Sequence, residues 1–243
     1  MSDPYCYASF MTEDSAPLHA TITTLLGALR LGEPHMHRGI GLWPVLGPSR
    51  PEPVYLPLVE AQPLEGFQIR EVDQDGSVPE LRVVNETPHD VLLFDGEELK
   101  GAKQNRILNT SVLVAAGSSF HVPVSCTERG RWSYESDQFA PSGSLAYSQL
   151  RMAKSKDVAA SLQAGVGHAS NQGAVWEEIE KLHTCAESTH KSRTRDMRDA
   201  YRERQREIEE FVEEVTPVVG QCGLVAVSGE RVEGIDVLSR PKA

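Results

Sequence analysis

RILNTSVLVAAGSSFHVPVS, residues 106–125, is the stretch on which the fold turns. Apolar residues fill both halves, and Ala115-Ala116-Gly117 interrupts them with the small residues of a tight turn. Phe120, Val122 and Val124 alternate, the period of a strand with one buried face. The pattern predicts a β-hairpin. His121 falls on the opposite face, toward solvent or a pocket. Pro123 lacks a backbone donor, so the returning strand belongs at an edge or a bulge.

Working outward, FQIREV (67–72), ELRVVNE (80–86) and DVLLFDGEEL (90–99) read as further strands, with a turn at 87–90. No strand–helix–strand alternation occurs, which argues against a parallel dinucleotide-binding sheet. Residues 17–31 predict a short helix with Leu18, Ile22, Leu25, Leu26 and Leu29 on one side. Seven prolines between Pro34 and Pro63 then exclude a long helix and leave short strands near 40–45 and 54–60.

The period changes near residue 144. Val175, Trp176, Ile179, Leu182, His183 and Ala186 share one helical face, and Met197, Tyr201, Ile208, Phe211, Val212 and Val215 share another. A Thr-His-Lys link at 189–191 suggests an antiparallel helical hairpin. VVGQCGLVAVSGERVEGIDVL, residues 218–238, predicts two strands around Ser228-Gly229. The fold class is α+β: a mainly antiparallel sheet, sandwich or barrel-like, with a helical hairpin in the C-terminal half. The expected layout is a flexible lead over 1–16 and one domain over 17–243, with a helical insertion at about 144–215.

The net charge of −11 opposes a phosphate backbone, so duplex nucleic acid is not an expected partner. A local basic pocket is still allowed. Four dispersed cysteines without a CxxC point to a reducing compartment. The N-terminus has no basic, apolar signal pattern, and no run reaches the roughly 20 apolar residues of a span. The expected setting is cytoplasmic, with no membrane partner.

Chemistry concentrates at the two ends of the hairpin stretch. GEELKGAKQNR (96–106) is not a phosphate loop, because Ala102 separates Gly101 from Lys103 and no Ser or Thr follows. Cys126 and Arg131 are one residue too close for a cysteine-phosphatase loop, and Glu128 would repel a phosphate; Cys126 reads as a buried, inert thiol. His35 and His37 would share a face of an extended segment, but no ligand pattern accompanies them, and no metal is expected. Glu97 and Glu98 face opposite sides of any strand.

A hairpin returns residue 126 beside residue 105, so the two polar clusters become one. Glu98 and Glu128 are the candidate general bases. Lys103, Gln104, Asn105, Arg106, Arg131 and Trp132 are the candidate ligand-binding set: guanidinium forks for an anion, indole for stacking, amides for orientation. The competing reading makes Glu128–Arg131 an internal salt bridge and Trp132 core.

The segments 78–132, 171–179 and 218–238 resemble the ARG and Rhodanese-Phosphatase-superfamily-associated protein domain, an uncharacterised bacterial family. The most specific motifs are GEELKGAKQNR (96–106) and VSCTERGRW (124–132). Association with ADP-ribosylglycohydrolases implies, by context, a role near NAD or ADP-ribose metabolism; the resemblance carries no catalytic residue and leaves the cofactor open. Three readings follow. The first is a protein that binds a nucleotide or ADP-ribose-type metabolite. The second is a hydrolase or transferase on such a metabolite with a Glu general base. The third is an interaction module docking a protein partner or a second copy.

Overall fold

A computed structural model of the chain describes residues 15–48, 54–73, 79–130, 133–134, 136–186 and 195–238. Most of the predicted lead and the predicted link at 189–191 lie outside these residues. The elements begin with helix α1 (Ser15–Ala28) and strands β1 (Arg30–Leu31), β2 (His35–His37), β3 (Ile40–Leu46) and β4 (Tyr55–Pro57). Helix α2 (Leu58–Ala61) precedes strands β5 (Phe67–Glu71), β6 (Glu80–Asn85), β7 (Asp90–Leu93) and β8 (Glu97–Gly101). Strands β9 (Arg106–Leu108), β10 (Val112–Val114), β11 (Ser118–Cys126) and β12 (Phe139–Leu145) follow. Helices α3 (Ser148–Gln163), α4 (Gln172–Cys185), α5 (Met197–Glu203) and α6 (Gln205–Glu214) lead to strands β13 (Gln221–Ser228) and β14 (Arg231–Val237).

Two compact units form, residues 1–50 with 217–242 and residues 51–216. The first holds an antiparallel sheet in the order β1-β3-β13-β14, with β2 also on β3. The two strands expected around Ser228-Gly229 are its β13–β14 hairpin.

The second unit is built on a closed, wholly antiparallel six-stranded barrel, β11-β6-β5-β12-β8-β9. Closure removes the exposed edge that a flat sheet would present. The alternation seen in the sequence fills it: Phe67, Ile69, Leu81, Val83, Leu99, Leu108, Val122, Val124 and Phe139 are all buried in one cluster. A smaller sheet, β10-β7-β4, shares that cluster through Val91, Leu93 and Val114.

The hairpin over 106–125 forms at its ends and opens in its middle. Val124, Ser125 and Cys126 pair with Leu108, Ile107 and Arg106, as predicted. The chain turns at Gly117, whose φ of 67° suits a residue without a Cβ. Between them, however, β10 leaves β11 and pairs with β7 of the smaller sheet. His121 is exposed and lies 3.5 Å from the Glu80 carboxylate. The run 90–99 is likewise two strands, broken where the Phe94 N–H donates to the Glu97 carboxylate at 2.7 Å. Residues 54–60, expected as a strand, divide between β4 and α2.

Helices cover one side of the barrel. Ile107 points outward from β9 and packs with Ala146, Leu150, Val175, Ile179 and Met197. Gln172, the first residue of α4, brackets the end of β11. Its amide oxygen accepts from the Cys126 N–H at 2.7 Å, and its amide nitrogen donates to the Cys126 carbonyl at 2.9 Å. Two expectations change here. Trp176 is only half-buried, with the Arg129 guanidinium over its ring. The second helix breaks at Arg204, so Met197 is buried while Ile208 and Val212 are exposed.

Candidate functional site

Strand register decides what the polar cluster becomes. Glu98 pairs with Ile107, and Ile107 with Ser125, so these three share the barrel's outer face under the helices. Leu99, Arg106 and Cys126 form the next row and point inward. The wall of the barrel thus divides the expected single cluster into an inner and an outer group.

The inner group is a brace. Arg106 is fully buried, and its Nη1 donates to the Gln104 amide oxygen at 2.7 Å and to Cys126 Sγ. The Gln104 amide nitrogen donates in turn to the Glu128 backbone carbonyl. A buried guanidinium held this way at Nη1 closes the end of an apolar barrel, with the Glu71 carboxyl in its field. Burial pushes the Cys126 thiol up to about 11, against the opposing charge of Arg106. A thiol so far from ionising is a poor nucleophile. Cys126→Ser is expected to keep the fold and any activity, with a cost of about 1 kcal/mol. Thermal melting and turnover of the variant check this; loss of turnover in a normally folded variant would return the thiol to the chemistry.

The outer group has more chemical scope. Glu98 is buried, and its Oε1 accepts from the Thr127 hydroxyl at 3.0 Å. Its Oε2 lies 3.6 Å from Arg198 Nε. Arg198 also donates from Nη2 to Asp196 at 3.0 Å, and Asp196 caps helix α5 by accepting the Arg198 N–H at 3.1 Å. Asn105 joins the pieces: its Nδ2 donates to Asp196 at 3.0 Å, its backbone N–H donates to Glu128 Oε2 at 3.1 Å, and its Oδ1 accepts from the Gly101 N–H at 3.2 Å. Three carboxyls, Glu98, Glu128 and Asp196, are thus held around one asparagine and one arginine.

Packing two of these carboxyls, Glu98 and Asp196, out of water raises their proton affinity. Burial, reinforced by the negative charge of Asp196, lifts Glu98 to about 7, while Ser142, Arg198 and Thr127 pull the other way. Burial likewise raises Asp196, with Arg198 opposing. Burial lifts Glu97 to about 7 against the Phe94 N–H. Glu97 and Glu98 both line a cleft of about 420 Å³ with Val59, Phe94, Ser142 and Gly143. The cleft exists because the β8–β12 ladder is interrupted between Pro141 and Leu145.

The structure therefore sets Glu98, Asn105 and Glu128 in the outer group. It places Gln104 and Arg106 inside the barrel end, and Lys103 on a separate cleft with Arg70 and Arg82. Arg131 and Trp132 lie outside the described residues. Sequence reasoning missed Thr127, Asp196 and Arg198. Asp196 before an apolar helical run is a cap signal, but nothing local says that this cap meets Glu98.

Barrel, helical cover and buried acid–amide cluster define an α+β barrel protein with a group of buried carboxyls beside a cleft. The chain belongs to the ARG and Rhodanese-Phosphatase-superfamily-associated Protein domain family, whose model matches residues 28–243. Comparison with curated proteins and with solved structures gives no significant match. Among the described residues no helix is long and apolar enough to cross a membrane.

Proposed function

We propose that the cleft beside Glu98 takes a small metabolite of nucleotide or ADP-ribose type and that Glu98 acts there as a general base in its hydrolysis or transfer. One observation carries the reading: Glu98, its buried carboxyl lifted to about 7, lines a cleft of this size. A base is most effective when its pKa lies near the working pH, because it is then both substantially ionised and still basic. A carboxylate at its ordinary value would be ionised but weakly basic. Glu128 orients Asn105, and Asn105 holds Asp196 against Arg198, so these residues position the base rather than react. Gln104 and Arg106 brace the wall behind it. The metabolite class comes from the context in the family's description, and the serine and carboxyl lining suits a hydroxyl-rich ligand. A cytoplasmic setting fits Cys126, Cys185 and Cys222, all free.

The test begins with mass spectrometry of small molecules released on denaturing the purified protein. ADP-ribose derivatives and whatever class is released are then offered to the wild type and to Glu98→Gln. Turnover by the wild type alone, rising with pH through about 7, supports the base. A metabolite that binds yet is never turned over supports a binding protein and removes the base. Neither binding nor turnover removes both.

A further inference from the structure

A second site stands on the outer face of the barrel, and its charge pattern is unusual. Arg70 of β5 pairs directly with Arg82 of β6, and Arg82 pairs directly with His121 of β11. Residues opposite one another in antiparallel strands project from the same face with Cβ atoms roughly 4.5–5.5 Å apart. Two arginine side chains therefore leave the sheet side by side, an arrangement that costs stability where the like charges meet with nothing negative between them.

Among the described residues, neither arginine makes an ion pair. Arg82 Nε donates to the Ser119 hydroxyl at 3.2 Å. The pair opens on a cleft of about 390 Å³ that Lys103 and Tyr134 also line. Glu71, Asp73 and Asp137 share its wall. Asp137 accepts the Tyr134 hydroxyl within the cleft, and Glu71, on the inward-facing row, lies in the field of both Arg106 and Lys103. Lys103 reaches the cleft because the chain turns through Ala102 at a φ of 42°, a conformation that costs energy in a residue with a Cβ. The Ala102 N–H is held there by the Ser136 hydroxyl at 2.9 Å.

We propose that Arg70, Arg82 and Lys103 bind the phosphate of a small phosphate-bearing ligand. Two forks and an ammonium match a doubly charged group with three equivalent oxygens better than a single carboxylate. Tyr134, exposed beside them, offers a flat ring to the rest of the ligand. The protein's net charge of −11 repels anions at a distance, and three carboxyls stand beside the three cations of this cleft, so the directed guanidinium forks must do the selecting. The site uses none of the residues around Glu98, so either reading can fail alone.

Calorimetric titration with inorganic phosphate, in chloride buffer at constant ionic strength, tests it. The wild type and Glu98→Gln should bind phosphate equally. Arg70→Gln and Arg82→Gln should each bind about tenfold or more weakly, and Arg70→Lys should retain part of the affinity. Without phosphate, the Arg70→Gln melting midpoint should equal or exceed that of the wild type, because the repulsion is relieved. A wild type that takes up no phosphate, or glutamine variants that bind as well as it does, would overturn the proposal. A fall in the phosphate-free midpoint of Arg70→Gln would do so too, by making the pair structural.

Discussion

Glu98→Gln should abolish most turnover and, at pH 8, make the protein more stable. The two effects have one cause. The folded protein holds the Glu98 carboxyl at about 7, against a reference value of 4.5. A carboxyl raised on folding binds its proton more tightly in the native state, so stability falls as pH rises from about 4.5 through about 7 and then levels off. Above that window the native protein carries a buried carboxylate at a cost of up to about 3 kcal/mol, from a shift of 7 − 4.5 = 2.5. Glutamine has the same shape and cannot ionise. Its carbonyl can still accept from Thr127, and Arg198 keeps Asp196. Denaturation curves at pH 5 and pH 8 should show the wild type losing stability between them and Glu98→Gln losing less. Turnover should fall by about 10²–10⁴, the usual contribution of a positioned base. Equal pH dependence in the two proteins would show that Glu98 is an ordinary carboxylate, and the proton-transfer reading would go with it.

The half of this site carried by the barrel strands was legible in the sequence, and the half carried by the helices was not. Strand period and hairpin return are local rules, so 98, 105 and 128 could be brought together from residue order alone. Which side of the wall each would face also follows from period two, once the register is known. Asp196 and Arg198 arrive by docking of α5, and no local rule reports that. Helix α3 shows the limit in another way. Its buried positions are Leu150, Lys154 and Val158, so a lysine interrupts the apolar stripe that would have announced it. That lysine is tolerable because its ammonium meets Asp95 and the Leu108 carbonyl, partners far away in the chain. The opened hairpin has the same origin. Val112–Val114 could pair with β11 or with β7 by propensity, and tertiary contacts choose β7.

Asn85 is where that choice is enforced, and Asn85→Leu should be among the most destabilising single changes in the barrel unit. Asn85 ends β6 and is fully buried. Its Nδ2 donates to the carbonyls of His89, Val114 and Ala115 at 2.9, 3.1 and 3.1 Å. Its Oδ1 accepts from the Thr87 hydroxyl at 2.7 Å and the Thr87 N–H at 3.2 Å. One amide therefore fastens the barrel to the start of β7 and the end of β10. Leucine fits the volume but strands these groups away from water, at about 1–3 kcal/mol for each one left unsatisfied. Because several are only part-buried and can be rehydrated, the expected total is about 3–5 kcal/mol rather than the full sum. For a chain of this size that is a fall in melting midpoint of roughly 10 °C or more. Thr87→Val removes one hydroxyl from the same network and should cost about 1–2 kcal/mol. Chemical denaturation of the two variants separates the accounts. If Asn85→Leu costs no more than Thr87→Val, the smaller sheet is held by Val91, Leu93 and Val114 in the shared apolar core, and the amide only finishes a junction that packing has already made.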